Sequence, residues 1–493
     1  MHAKPTDPKI FQFPVSMGMI TRFIIKYECQ CETYTSVNEC DIEVAEYAVR
    51  HECFGILAQD SDYMIFDSAP YYLSSQFLNI ESLETTNYDR EAFAWHLGLN
   101  VDQLPLLASL IGNDVVNSQD LVLFHRRICK DAKFVGKPRA EHIVPKVAQF
   151  MKHFRDSSFS LSTTALTSIA KNVFGDPARA QLLYESVHSY ELFTNQSGET
   201  DAVSSTGTTK PEEDTVSTTT SSANNRDFRK QPIKRLMSQA SQASFSSRRA
   251  PIPTTESGKR LMELARERHL NCEVFPYIYA ALSTATWESS SALEDLSSDM
   301  PSSALVFRPL RQRIYGVLFS VPPEPVVDKK NGKNKEMHSA DPNRKRIRVA
   351  EWCVYKTCVL DEADYVDVLP PPEKSKSMEV LWLDESEEVG QWRWKTFCIC
   401  LTPKHDVDRW KDLPPKYLIL VAGKSKPVLH DWEVNAFVAQ AVSPIANNFQ
   451  TLHVLKLERV DARPIHMATI FMRGVSNVLF LLGVCNYPVP LQE

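Results

Sequence analysis

Apolar positions at regular spacing fall in two regions of the chain, which a polar stretch separates. Residues 9–193 and 259–493 carry apolar side chains at helical spacing or in short runs, whereas residues 195–258 are crowded with Ser and Thr. Because so polar a stretch cannot bury enough apolar surface to offset its ordering entropy, we expect it to be disordered. The pattern therefore predicts a first domain over residues 1–193, a linker over 194–258 and a second domain over 259–493.

The first region predicts an α/β domain in which helices cover a parallel sheet. Apolar side chains recur at helical spacing in residues 39–52, and residues 54–58 (FGILA) form a short run typical of a buried parallel strand. Further helices are predicted at 17–26, 102–112 and 119–129. The second region predicts a mixed α+β domain, with candidate elements at 305–319, 349–359, 380–383, 417–421 and 432–442.

Composition places the chain among ordinary globular proteins. Hydrophobic residues make up 43% and charged residues 24%, and the formal net charge of −6 gives the whole chain no general attraction to nucleic acid. No apolar run approaches the ~18–20 residues that span a bilayer, so no membrane partner is expected. The eleven cysteines lack a disulfide spacing and predict reduced thiols in the cytosol or nucleus. Since zinc sites need a different spacing, we expect Cys29/Cys31 and Cys398/Cys400 to be core thiols.

Two aspartates that follow the predicted strand 54–58 are the most informative chemical feature. Asp60 and Asp62 are two residues apart, so on an extended segment their side chains share a face. They would then project from the carboxyl end of the strand, where α/β sheets bind ligands. Two adjacent carboxylates repel each other, and a divalent cation would compensate them. An ordinary turn, in which Asp and Ser are common, explains the same residues.

Other acidic residues stand before and after this strand. Glu39 and Asp41 begin the preceding helix, where acids also serve as ordinary caps. Asp114 ends a Gly-Asn-Asp run after the helix 102–112, where a plain helix C-cap is the alternative. The order acid pair, helix, strand, Asp-x-Asp, helix and Gly-Asn-Asp is more specific than any one part. The candidate metal-site carboxylates are therefore Glu39, Asp41, Asp60, Asp62 and Asp114.

This order resembles the XPG/flap endonuclease branch of the PIN-like nucleases. The resemblance implies that the Asp-x-Asp and Gly-Asn-Asp aspartates match carboxylates that hold two Mg²⁺ ions, and that Glu39 with Asp41 match an internal acidic pair, for which Glu43 competes. That family brings further aspartates from strands before the pair, and the 38 residues before Glu39 contain no such strand. A cluster without those donors is not expected to hold two ions ~3.5–4 Å apart for hydrolysis.

A more specific resemblance covers both regions. The runs HECFGILAQDSDYMIFDSAPYYLSSQFL and LPLLASLIGND, followed by SSALVFRPLRQRIYGVLF and LHDWEVNAFVAQAVSP, are similar to the constitutive coactivators of peroxisome proliferator-activated receptor gamma. The resemblance implies a scaffold in nucleus and cytoplasm, whose partners are regulatory proteins of the nuclear-receptor or RNA-silencing type. Family members also bind RNA through a basic C-terminal tail. That tail is missing here, so we expect the chain to be truncated at both ends relative to the family.

Two basic segments leave RNA as a further candidate partner. Residues 226–260 carry nine Lys/Arg against two acids, and residues 328–348, an expected disordered loop, carry eight against three. Such charge attracts phosphates or serves as an import signal, although a solubilising linker or surface loop explains it equally. Ser238 follows an arginine by three residues and is a candidate phosphosite. The candidate basic residues are Arg226, Arg229, Lys230, Lys234, Arg235, Arg344, Lys345, Arg346 and Arg348.

A third basic run, RPLRQR, has two interpretations. Arg308, Arg311 and Arg313 are interleaved with Phe307 and Tyr315, a pattern that suits base stacking or a core helix with its arginines at the margin. We favour the core helix. The sequence as a whole predicts a non-catalytic PIN-like scaffold without a cofactor. The alternative is a structure-specific nuclease that depends on Mg²⁺.

Overall fold

The chain folds as a mixed α/β protein in two compact units, seen in a computed structural model. The structure describes residues 3–5, 16–130, 139–154, 162–193, 255–289, 293–295, 300–319, 347–355, 358–360, 362–372, 375–401, 430–433, 435, 439 and 461–489. The first unit is Ser36–Gln242, and the second unit joins Met1–Thr35 to Ala243–Glu493. The linker predicted over 194–258 therefore lies almost wholly outside the described residues.

The regular elements follow the hydrophobic pattern closely in the first unit. In chain order the helices are α1 (Met17–Phe23), α2 (Cys40–Arg50), α3 (Arg90–Leu97), α4 (Leu104–Ile111), α5 (Val122–Ile128), α6 (Ala140–Met151), α7 (Thr163–Phe174), α8 (Ala180–His188), α9 (Glu256–Leu270), α10 (Tyr277–Thr284), α11 (Ser303–Val306), α12 (Arg308–Leu318), α13 (Met378–Leu383), α14 (Val389–Leu401) and α15 (Ala462–Val484). The strands are β1 (Ala3–Pro5), β2 (Gly55–Ala58), β3 (Tyr71–Ser74), β4 (Asn87–Tyr88), β5 (Thr286–Ser289), β6 (Arg348–Tyr355), β7 (Cys358–Leu360) and β8 (Asp364–Asp367). The helices predicted at 17–26, 39–52, 102–112 and 119–129 are confirmed within a few residues.

The first residues of the chain belong to the second unit, although the sequence pattern placed them in the first domain. Strand β1 pairs antiparallel with β7. On α1, Met19 is buried in the apolar core of the second unit, and the Thr35 amide donates to the Leu270 carbonyl oxygen over 2.9 Å. These long-range contacts have no counterpart in local periodicity, so the sequence pattern could not reveal them.

The sheet of the first unit has the order β2-β3-β4. Strands β2 and β3 are parallel, with Ile56 opposite Tyr72, which confirms the strand predicted at 54–58. The expectation of a wholly parallel sheet is wrong, because β4 is antiparallel to β3. Burial of the strand is also only partial. Successive side chains alternate between the two faces, so that Ile56 joins the core while Leu57 is 51% exposed.

Helix α4 lies at the centre of the first unit. Leu104, Leu106, Leu107 and Leu110 are fully buried, and α4 packs against α6 and α8. Burying one leucine side chain contributes roughly 1.5–3 kcal/mol, so this short apolar helix supplies a large share of the core. The Gly-Asn-Asp run at its end is thereby held against α8.

The second unit contains a five-stranded mixed sheet, as an α+β domain requires. Its order is β1-β7-β6-β5, with β8 also paired to β6. Strand β5 runs parallel to β6 with Thr286 opposite Ala350, and β7 and β8 are antiparallel to β6. Helices α11, α12, α14 and α15 pack together in the same unit.

A buried ion pair joins α12 to β6. Arg311 and Glu351 are both fully buried and form two hydrogen bonds of 2.8 Å, Nε to Oε1 and Nη2 to Oε2. Tyr315 donates to the same carboxylate over 2.9 Å, and the guanidinium lies 3.9 Å from the centre of the Trp287 ring. Burial acts to raise the pKa of Glu351, but the charge and hydrogen bonds of Arg311 hold it below its ordinary value. RPLRQR is therefore part of a core helix, as predicted, but the expectation that its arginines lie at the margin is wrong for Arg311, which is fully buried.

The expectation that no segment approaches the length of a membrane span is wrong for helix α15. Within the part of the chain that the structure describes, this 23-residue helix is long and apolar enough to cross a membrane by length and composition. It lies inside the second unit, with 67% of its most apolar window buried. Arg473 and Asn477 on the same helix are also buried, and the core helix of a globular protein accounts for this pattern.

The two Cys-x-Cys pairs have different surroundings. Cys398 and Cys400 are buried on α14, as predicted, and burial raises the pKa of each thiol to about 12. Cys29 and Cys31 are exposed, so their assignment to the core is wrong. They follow a π-helical turn, Ile24–Glu28, in a segment without regular structure, so strand-like alternation in the sequence does not place them against a core.

Removing Arg311 should destabilise the second unit strongly. In Arg311→Met, Glu351 loses its fully buried partner and keeps the partly exposed Arg308, whose Nε lies 2.9 Å from Oε2. The free energy of unfolding should therefore fall by about 3 kcal/mol, the lower end of the range for a broken buried pair. The matched control is Arg348→Met, which breaks an exposed pair with Asp367 at 2.8 Å and should cost about 0–1 kcal/mol. Urea denaturation followed by tryptophan fluorescence measures both. Equal losses in the two variants would contradict the role assigned to burial.

Candidate functional site

The Asp-x-Asp segment forms a tight helical turn after β2 rather than an extended strand end. Asp60 is the N-cap of a 3₁₀ helix, Ser61–Met64, and its Oδ1 accepts from the Asp62 amide over 3.1 Å. The Tyr72 hydroxyl donates to the Asp60 carbonyl oxygen over 2.7 Å. The predicted sharing of one face of an extended segment is therefore corrected, because a capping bond draws the two residues into a turn. The turn still leaves both carboxylates at the carboxyl end of the parallel strands.

Four aspartates influence one another at this end of the sheet. Burial raises the pKa of Asp62 to about 6, and the negative charges of Asp60, Asp114 and Asp41 add to the effect in that order. These side chains come from the start of α2, the turn after β2 and the end of α4. The fold thus brings together residues that are far apart in sequence, in an arrangement typical of functional sites.

Two tyrosines donate hydrogen bonds into the acidic cluster. Tyr63 donates to Asp41 Oδ1 over 2.7 Å, and Tyr190, just after α8, donates to Asp62 Oδ1 over 3.3 Å. Burial, together with the nearby carboxylates, raises the pKa of both phenols well above the ordinary value. Both phenols therefore remain protonated donors at neutral pH, and each offsets part of the cost of a half-buried carboxylate.

The Gly-Asn-Asp run is shaped by backbone geometry and by a hydrogen-bond network. Gly112 ends α4 at φ +115°, and a Cβ atom there would lie 3.1 Å from the Ser118 Cα, so a side chain would be strained. Asn113 Oδ1 accepts from the Val116 amide over 2.9 Å, and its Nδ2 donates to the Tyr190 hydroxyl over 3.3 Å. The run therefore holds Tyr190 in place and brings Asp114 near the cluster.

The glutamates of α2 have structural partners. Glu39 is the N-cap of the helix, and its Oε2 accepts from the Ile42 amide over 2.9 Å. Glu43 accepts from the Val37 and Asn38 amides over 3.1 and 2.6 Å. The capping explanation weighed for Glu39 is what the geometry shows. Asp41, by contrast, faces the cluster.

The fit of these carboxylates to Mg²⁺ depends on whether several of them converge on one point. Among the residues that the structure describes, no group of three or more His, Cys, Asp or Glu side chains is placed to hold a metal ion. Asp41 and Asp62 each accept a phenol hydrogen bond, and Glu39 is engaged as a helix cap. Divalent ions need ionised oxygen ligands that converge on one point, so the carboxylates as arranged do not fit a two-ion site.

Most of the candidate basic residues lie outside the described part of the chain. This holds for Ser238 and for Arg226, Arg229, Lys230, Lys234, Arg235, Arg344, Lys345 and Arg346. Arg348 is described. It is the first residue of β6, and its Nε forms an ion pair with Asp367 at the end of β8. Contact with RNA through these segments stays a prediction.

Sequence reasoning missed Tyr63, Asn113 and Tyr190 as members of the site. Tyr63 follows Asp62 directly, and Asn113 precedes Asp114, so both lay inside the motifs already singled out. Tyr190 is 128 residues from Asp62 along the chain, and no local pattern marks it. Only the packing of α8 against α4 brings it to the acidic cluster.

Part of the first unit matches a known family of domains. Residues 97–195, which contain the Gly-Asn-Asp run and Tyr190, match the family model of the FAM120A-like domain. No solved structure matches the chain.

Whole-chain comparisons extend this match. The chain is 26% identical to the constitutive coactivator of peroxisome proliferator-activated receptor gamma of Bos taurus, over 97% of this chain and 69% of that protein. It is 28% identical to constitutive coactivator of PPAR-gamma-like protein 1 of Homo sapiens, over 53% of this chain and 24% of that protein. The Homo sapiens coactivator is 44% identical over 23% of this chain and 12% of that protein. The family resemblance found in the sequence is confirmed, because over much of its length the chain is similar to proteins named constitutive coactivators of PPAR-gamma.

Replacing Asp62 by Asn should stabilise the first unit at neutral pH. The folded-state pKa of about 6 exceeds the ordinary 3.8, so the folded state binds more protons between these values. The free energy of unfolding should therefore fall as pH rises from about 4 to about 6. Asn still accepts from Tyr190 and carries no charge, so Asp62→Asn should gain about 1 kcal/mol, or several degrees in Tm, at about pH 7.5.

Thermal unfolding of the full chain between about pH 4 and 7.5 measures this effect. The control is Asp67→Asn, which removes an exposed carboxylate paired with Arg90 and should leave the pH profile unchanged. A lower Tm for Asp62→Asn at neutral pH would contradict the prediction.

Proposed function

We propose that this protein is a non-catalytic scaffold of the coactivator family that binds a nuclear receptor. The observation that carries the proposal is the similarity over 97% of the chain to a protein whose name states that it coactivates PPAR-gamma. A match of that extent covers both compact units and so involves more than one shared motif. The proposal places the protein in the nucleus and the cytoplasm.

The chemistry of the acidic cluster supports the non-catalytic part of the proposal. The order of Asp-x-Asp and Gly-Asn-Asp in an α/β unit favours a PIN-like ancestry of the XPG type. Glu39 caps a helix, and Asp41 and Asp62 accept hydrogen bonds from tyrosines. Hydrolysis with two metal ions needs several carboxylates that converge on the ions, rather than carboxylates engaged by a helix cap and by phenols. In this cluster the acidic side chains maintain the fold.

A second candidate function is that of a nuclease dependent on Mg²⁺, and one observation favours it. Asp41, Asp60 and Asp114 all act on the pKa of Asp62, so four carboxylates have gathered where a PIN-like nuclease binds metal. Their mutual repulsion is of the kind that a divalent ion would relieve. The two candidates differ in what they predict for metal binding and for turnover.

The scaffold proposal predicts direct binding to a nuclear receptor. The purified full chain should bind immobilised recombinant PPAR-gamma in a saturable manner, with a Kd of about 10 μM or tighter, in biolayer interferometry. An immobilised protein of unrelated fold is the control surface. A response that stays linear with concentration on both surfaces would contradict the receptor partnership.

The scaffold proposal also predicts that nucleic acid remains intact. With Mg²⁺ or Mn²⁺ present, the full chain should not cleave flap, hairpin or single-stranded substrates, and millimolar metal should leave its Tm within about 1 °C. Metal that binds the cluster would instead raise Tm in the wild type and have no effect on Asp60→Ala. Turnover that disappears in Asp60→Ala would establish the nuclease and overturn the scaffold proposal.

A further inference from the structure

The loop between β3 and β4 in the first unit, residues 75–86, is held by its own hydrogen bonds. At its base the Ser74 amide donates to the Thr86 carbonyl oxygen over 2.9 Å, and at its tip the Asn79 amide donates to the Glu84 carbonyl oxygen over 2.8 Å. The Asn79 side chain accepts from the amides of Glu81 and Ser82 over 2.9 and 3.2 Å. This network fixes the path of the loop without help from the apolar core.

The β3–β4 loop carries three large apolar side chains that face away from the protein. Phe77, Ile80 and Leu83 are 55%, 81% and 77% exposed. Leu83 also has φ +57°, a left-handed conformation that is uncommon for leucine. Because hydrogen bonds already order the backbone of the loop, the backbone loses little conformational freedom when a partner covers the exposed side chains, which favours binding. Single exposed apolar residues are ordinary, whereas three of them within one short ordered loop mark this segment as a candidate binding element.

The charge of the loop restricts the kind of partner. Between Ser75 and Asp89 there is no Lys, Arg or His, whereas Glu81 and Glu84 directly follow Ile80 and Leu83. Both glutamates are exposed. Negative charge at these positions opposes nucleic acid and anionic lipid surfaces. It complements a protein surface in which Lys or Arg side chains border an apolar groove.

We propose that the β3–β4 loop is a docking element that inserts Phe77, Ile80 and Leu83 into an apolar groove with a basic rim on a partner protein. This proposal rests on the scaffold function and identifies the surface through which the first unit binds its receptor partner. The carboxylates of Glu81 and Glu84 align the loop with the rim.

The test compares loop variants with matched surface variants of the full chain. The loop variant is Phe77→Ser, Ile80→Ser and Leu83→Asn, with Asn at the last position because it tolerates a left-handed backbone. A second variant, Glu81→Lys with Glu84→Lys, reverses the charge. Controls are Trp95→Ser and Leu123→Ser, which remove side chains of the same unit that are 81% and 78% exposed. Each is measured against immobilised recombinant PPAR-gamma and against vesicles of phosphatidylcholine with phosphatidylserine.

The loop variant should bind the receptor at least about tenfold more weakly than the wild type. The charge variant should also bind more weakly. The two control variants should stay within about twofold of the wild-type affinity. All variants should keep the Tm of the wild type, since the replaced side chains are exposed. Undiminished binding by the loop variant would overturn the docking proposal while leaving the scaffold function intact. A wild-type chain that does not bind the receptor would overturn both, and vesicle binding that depends on the loop would overturn the choice of a protein partner.

Discussion

A charge that leaves water must find an opposite charge or a hydrogen-bond donor, and both units are organised around this constraint. In the second unit, Arg311 and Glu351 are fully buried and satisfy each other through two short hydrogen bonds. The pair joins α12 to the central strand β6 and sets the position of Trp287. In the first unit, the half-buried Asp62 has a tyrosine and three aspartates as neighbours. There the compensation is incomplete, and the cost appears as a raised pKa.

The incomplete compensation is informative about function. A nuclease of the two-metal type uses carboxylate repulsion to hold cations, whereas here phenol hydroxyls and helix caps engage the acidic side chains. The same residues then serve to connect α2, the turn after β2 and α8. This arrangement is one of the observations that support the proposed scaffold function. The relatives to which the chain is similar are named as coactivators of a receptor.

Binding requires a surface, and the first unit presents apolar side chains away from its core. One face of the small sheet exposes Leu57, and the β3–β4 loop exposes three more large apolar residues. The loop is ordered by backbone bonds and by Asn79, so its geometry does not depend on a partner. Order and exposure together distinguish it from the acidic cluster, whose polar groups mostly satisfy one another.

Local patterns alone determined the position of the four helices at 17–26, 39–52, 102–112 and 119–129, the strand at 54–58, the core helix with Arg311 and the acidic motifs. Periodicity and capping are properties of neighbouring residues. Tertiary structure decided what those patterns could not express. Residues before Ser36 join the second unit, Leu57 faces outward, Cys29 and Cys31 are exposed, and Tyr190 reaches Asp62 across 128 positions. Each outcome depends on which distant segment packs against a given face, and that choice is made by long-range burial and hydrogen bonding rather than by local sequence.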